Sequence, residues 1–92
     1  MSQKRIQLAQ DVLNIEANEL LKASDKISKE FSDAVECILL CKGRVILSGI
    51  GKSGHIAGKI ASTLSSTGTP SFFMHPGEAS HGDLGMITDK DI

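Results

Sequence analysis

Residues 44 to 54 read Arg-Val-Ile-Leu-Ser-Gly-Ile-Gly-Lys-Ser-Gly: a short apolar run that breaks into three glycines enclosing a lysine and a serine. The segment behind them places Ile56, Ile60 and Leu64 at helical spacing and stops at Gly68, so a strand, a small-residue loop and a helix N-terminus follow in direct succession. A helix start leaves its first backbone N–H groups without helical partners, the peptide dipoles add partial positive charge, and Lys52 adds a full one. This loop is built to hold a phosphate or to stabilise an oxyanion.

The remaining pattern is helix, helix, then β-α-β. Ile6, Ala9, Val12, Leu13, Leu20 and Leu21 repeat at the helical period across residues 3 to 22, with no Gly or Pro. Ser24-Asp25 offers cap chemistry for a second helix whose stripe is Ile27, Phe31, Ala34, Val35, Ile38 and Leu39, ending before Gly43. A helical hairpin over residues 1–42 is expected, followed by a sheet domain over 43–92. Residues 44–48 form the first strand, apolar throughout its centre as suits a strand covered on both faces. Thr69-Pro70 breaks the helix, and residues 71–74 form a second strand, parallel to the first because a helix joins them. The fold class is α/β. Met86 to Ile92 reads as a polar turn leading into the start of a third strand, so the 92 residues are expected to be part of a larger domain.

Between these, residues 75 to 85 hold two histidines, two acids and three glycines in eleven positions, and are read as a loop. Loops at the carboxyl ends of parallel strands form the ligand crevice of such sheets.

Three readings of the glycine loop compete. Gly49-Ile50-Gly51-Lys52-Ser53-Gly54 satisfies the dinucleotide pattern, but that fingerprint asks for an acid at the end of the second strand, where Phe72-Phe73-Met74-His75 stands instead. Gly51-Lys52-Ser53 resembles the end of a nucleotide P-loop, whose first glycine would fall on Ile46 inside the strand. The third reading is a sugar-phosphate pocket. Residues 49–55, residues 65–73 and residues 75–79 with 81–86 resemble, in order, the motifs of the arabinose 5-phosphate isomerases, bacterial enzymes of the sugar isomerase (SIS) superfamily.

That resemblance covers roughly residues 40 to 92 and implies a three-layer, SIS-type parallel-sheet fold of which this is the N-terminal part. It implies the interconversion of D-ribulose 5-phosphate and D-arabinose 5-phosphate through an enediol, the first step toward the Kdo sugar of Gram-negative lipopolysaccharide. A proton shift of that kind needs a group that moves the proton and a cation or donor that stabilises the enediolate. By position, Lys52 matches the family's active-site lysine and His81 lies in its second-loop motif; both are taken as catalytic. Gly51, Ser53, His55, His75 and Glu78 are taken as substrate-binding. Ser53 also suits a helix cap, and Ser65, Ser66 and Thr67 read as a polar helix end.

Glu78, His81 and Asp83 could suggest a metal triad, but isomerisation through an enediol needs no cofactor, and none is expected. Family members continue with a further phosphate loop, catalytic glutamates, a histidine and often CBS domains. None lies within these 92 residues, so the segment by itself is expected to be inactive. A catalytically silent SIS module that binds or senses a sugar phosphate is the alternative.

Ten basic against eleven acidic residues, no basic block and no Trp or Tyr make nucleic acid an unfavourable partner. No signal-peptide pattern and no apolar run near the roughly 20 residues of a membrane span are present, so a cytoplasmic chain is expected. Cys37 and Cys41 are read as buried or half-buried thiols on one helix face. Relatives in the family are oligomers, and a homo-oligomer is the corresponding expectation.

Overall fold

A computed structural model describes all residues from Met1 to Ile92. The elements in chain order are α1 (Ser2–Asp25), α2 (Lys29–Leu40), β1 (Val45–Leu47), α3 (Lys52–Ser66), β2 (Ser71–Phe73), α4 (Pro76–Ser80) and a 3-10 turn (Asp83–Met86). They divide into two compact units, Met1–Ala34 and Val35–Ile92.

In the first unit, α1 runs three residues past the predicted stripe, so Ser24-Asp25 lies inside it and does not cap α2. The turn falls at residues 26–28 instead: Lys26 N–H donates to Ala23 O and Phe31 N–H to Ser28 O, with the Ser28 hydroxyl on the Glu30 carboxylate. Ser28 precedes the helix through its carbonyl, and the first-turn acid Glu30 favours a helix start there. No residue of α1 or α2 is buried. Cys37 is exposed and only Cys41 is half-buried, just past the end of α2, where its thiol approaches Lys90 O at 3.4 Å. The expectation that both thiols are covered thus holds for Cys41 alone.

In the second unit β1 and β2 pair in parallel with Val45 opposite Ser71 and Leu47 opposite Phe73, extended at either end by Val45 N–H to Pro70 O and Met74 N–H to Leu47 O, both 2.9 Å. On the other edge of β1, Ile92 N–H donates to Arg44 O at 3.0 Å and Ile46 N–H to Ile92 O at 2.7 Å. That alternation is the hydrogen-bond pattern of a parallel pair, so Ile92 lies along the edge of β1 that faces away from β2 in an otherwise two-stranded sheet.

The core is built from small groups. Val45, Ala57, Ala61 and Met74 are the buried hydrophobic residues, joined by Gly54 on α3. Ile56 and Ile60, the residues whose spacing marks the helix, stay 61% and 45% exposed. The helix predicted by their period is present, but it turns its Gly54, Ala57 and Ala61 stripe inward. The reason is how closely its start approaches the strand end: a Cβ on Gly54 would lie 2.6 Å from Gly49 O, and one on Gly49 would lie 2.9 Å from Gly54 N. Backbones that touch leave no room for branched side chains alongside.

Candidate functional site

The glycine loop positions the first group of candidates. Gly51 caps α3 with φ 61° and ψ −128°, a conformation essentially closed to residues with a Cβ. The first helical bond runs from His55 N–H to Gly51 O at 3.2 Å, leaving the amides of Lys52, Ser53 and Gly54 without helical acceptors. Lys52 is the first residue of α3, four positions ahead of the predicted stripe, and it is exposed with no ion-pair partner. A cation at the positive end of a helix is unfavourable by itself and is offset when an anion sits there. The Ser53 hydroxyl is exposed and makes no bond to the helix, so it does not serve as the cap.

The second group lies past β2, where the structure replaces the expected loop with ordered turns. His75 is the N-cap of α4: its Nδ1 accepts from Gly77 N–H at 2.9 Å, and Pro76 occupies the first helical position, where its missing N–H costs nothing. With Nδ1 accepting, a neutral His75 carries its proton on Nε2, which is left free to donate. Glu78 sits in the first turn of α4 and His81 closes it, its N–H donating to Glu78 O at 3.1 Å. Gly82, at φ 121°, reverses the chain into the 3-10 turn. The short helix was legible in principle, since X-Pro followed by small and acidic residues is a helix start.

These two groups border one cleft of about 390 Å³, lined by Gly49, Gly51, Gly54, His55, Gly58, Phe73 and His75. One histidine comes from the start of α3 and the other from the cap of α4, and the Phe73 ring meets that of His75 edge-on at 6.5 Å between centroids. Gly51, His55 and His75 are thus brought together; Lys52, Ser53 and His81 are not among the lining residues, and Glu78 belongs to a separate cavity of about 280 Å³ beside His75, Asp83 and Met86. Gly49, Gly54, Gly58 and Phe73 are cleft residues that the motif reading did not single out, although the glycine pattern had marked two of them. No three His, Cys, Asp or Glu side chains are gathered in a group that could hold a metal ion. A cleft of this kind, with free amides, an adjacent cation and two imidazoles, suits an anionic, hydroxylated small molecule.

Arg44 ties the second group to the sheet. Its guanidinium lies 4.7 Å from the centre of the Phe72 ring, and its Nη2 donates to Met86 O at 2.5 Å and to Asp91 Oδ2 at 3.3 Å. Asp91 also accepts from Thr88 N–H at 2.8 Å and Arg44 N–H at 2.7 Å. Those two backbone donors, more than the guanidinium, hold its carboxyl at a pKa of about 2.

Comparison with known proteins places this geometry. Residues 38–92, more than half of the chain, match the SIS domain model. The chain is 57% identical over 86 residues to the arabinose 5-phosphate isomerase KdsD of Yersinia pestis, a match covering 94% of this chain and 26% of that protein. It is 49% identical over 92 residues to the arabinose 5-phosphate isomerase GutQ of Escherichia coli K12, covering 100% of this chain and 29% of that protein. Among solved structures, E. coli CFT073 c3406 in complex with arabinose 5-phosphate superposes with a TM-score of 0.92 at 40% identity, over 100% of this chain and 49% of that one. The chain spans between a quarter and a third of the length of the curated relatives named here.

Proposed function

The chain belongs to the SIS-domain family, and on that premise we propose that the protein carrying it is an aldose–ketose isomerase that interconverts D-ribulose 5-phosphate and D-arabinose 5-phosphate. One observation carries the reading: the whole chain follows the backbone of a protein solved in complex with arabinose 5-phosphate, with which it shares the fold around the glycine loop.

In this reading the substrate occupies the cleft between His55 and His75, with an anionic oxygen at the start of α3. The amides behind Gly51 and the Ser53 hydroxyl seat the phosphate or a neighbouring oxygen, since hydrogen-bond donors without helical acceptors bind anions there. Lys52 stabilises the enediolate as the proton leaves carbon; this needs its flexible four-carbon stem to swing from solvent toward the bound anion. His75, donating from Nε2, meets the substrate hydroxyls or ring oxygen from the α4 side, and Glu78 and His81 follow it on the same short helix. The reaction needs no metal or organic cofactor, because proton transfer and charge stabilisation suffice for an enediol.

The product serves Kdo and lipopolysaccharide synthesis, which puts the enzyme in the cytoplasm; no helix of the chain is long and apolar enough to cross a membrane. The protein acts as a homo-oligomer, a reading supported by the exposed apolar residues along both long helices, among them Leu13, Leu20, Leu21 and Phe31.

The test is conversion of D-arabinose 5-phosphate by the product of the complete gene, run in D2O. Ribulose 5-phosphate should form with deuterium taken up at the carbon that gains the proton. No conversion of either pentose phosphate by the folded protein overturns the reading.

A further inference from the structure

We propose that Arg44 is a positioning residue that clamps the segment 75–86 at both of its ends and so fixes the arrangement of His75, Glu78 and His81. The inference rests on the function proposed above only for its effect on turnover; its structural half stands alone.

The segment leaves the sheet at β2 and returns beside β1. At its entry the chain is held by Met74 N–H on Leu47 O and by the Ser48 hydroxyl on Met74 O at 2.5 Å. Between entry and exit its bonds are local: Ala79 N–H to His75 O, His81 N–H to Glu78 O, Gly82 N–H to Ala79 O, and Gly85 N–H to Gly82 O. Helices of one turn do not hold themselves together in water. The long-range hold at the exit comes from Arg44. One planar guanidinium lies over Phe72, three residues before the segment, and bonds the carbonyl of Met86, its last residue. The same group is oriented by Asp91, whose side chain is 1% exposed and whose two oxygens are already held by the Thr88 and Arg44 amides. Arg44 itself keeps 38% of its side chain exposed, so it acts as a strap across the surface, with one face on the ring and its edge on two oxygens. Only arginine has this geometry: lysine offers a point charge that cannot stack flat and fork at once.

The consequence is that His75, Glu78 and His81 ride on a strap outside the core. Loosening it lets them drift while the sheet stays paired, and a displacement near 1 Å at such groups costs on the order of 100-fold in rate.

The experiment compares the complete protein with Arg44→Met, which keeps the alkyl stem and removes both hydrogen bonds, and with Arg44→Lys. Hydrogen exchange at the Ala79, His81 and Gly82 amides should accelerate tenfold or more in Arg44→Met, with Val45 and Met74 amides within twofold of the parent. In pentose phosphate isomerisation, kcat should fall at least tenfold, and Arg44→Lys should recover part of both losses. If Arg44→Met fails to fold, Arg44→Lys must by itself accelerate the three segment amides selectively. Uniform acceleration of all amides, or unchanged exchange in the segment, overturns the proposal. A parent without isomerase activity would refute the function proposed above and leave the exchange result to decide this one.

Discussion

Substituting Gly54 by alanine tests the backbone contact on which the cleft is built. The new methyl would sit 2.6 Å from the carbonyl oxygen of Gly49 and 3.2 Å from its carbon, roughly 1 Å inside the ~3.5 Å at which heavy atoms begin to attract. Neither partner is the end of a flexible side chain, so the helix start and the strand end must separate. Overpacking of this kind costs about 1–3 kcal/mol, and the upper end applies where backbone meets backbone. Alanine returns at most about 1 kcal/mol through its better helix propensity. The expected net loss is about 2 kcal/mol, which for a domain of 150–250 residues lowers the melting temperature by roughly 4–8 °C. Gly58→Ala is the internal control, one turn along the same helix: nothing lies within 4 Å of its added methyl, so it should gain about 0.5–1 kcal/mol. Urea denaturation of the complete protein, with m unchanged, measures both. If Gly54→Ala is as stable as Gly58→Ala, the strand and helix do not touch as described.

Lys52→Ala should lower isomerase turnover by about 100-fold, the scale of losing one electrostatic stabiliser; steady-state kinetics showing near-normal kcat in a folded variant would remove Lys52 from the mechanism. His81→Ala should impair turnover while its melting temperature stays within about 1 °C of the parent, since surface positions away from the core have small stability effects; a large loss of stability with intact kinetics would assign His81 to structure. Asp91, held at about 2 against an ordinary 3.8, is more acidic folded than unfolded, so its contribution is complete above about pH 4 and is lost as pH falls through about 2. Acid unfolding followed by circular dichroism should therefore be less steep over that window in Asp91→Asn than in the parent. Residues 1–92 alone should self-associate at micromolar concentration and show no isomerase activity, because helices with apolar faces such as Leu13, Leu20 and Leu21 bury none of them; a monomer in sedimentation velocity would refute the association.

Local signals in the chain were sufficient for the order of elements. Apolar spacing marked α1, α2 and α3, the run Val45-Ile46-Leu47 marked β1, Thr69-Pro70 marked the break before β2, and the three glycines marked the turn that builds the cleft. Each of those signals acts over a few residues, through dihedral preference or periodicity. The third strand expected near Ile92 is not formed; only the return of Ile92 to the edge of β1 is seen. What the tertiary structure decided depends on groups far apart in sequence. The buried face of α3 was set by the Gly49–Gly54 backbone contact rather than by Ile56 and Ile60, because close approach excludes the larger side chains. His55 and His75 came to share one cleft only through the parallel pairing of β1 with β2. Arg44 and Asp91, unremarkable as one arginine and one aspartate, meet across 47 positions; an ion pair of that span leaves no periodic trace, since nothing in the intervening chain has to repeat for the two ends to close.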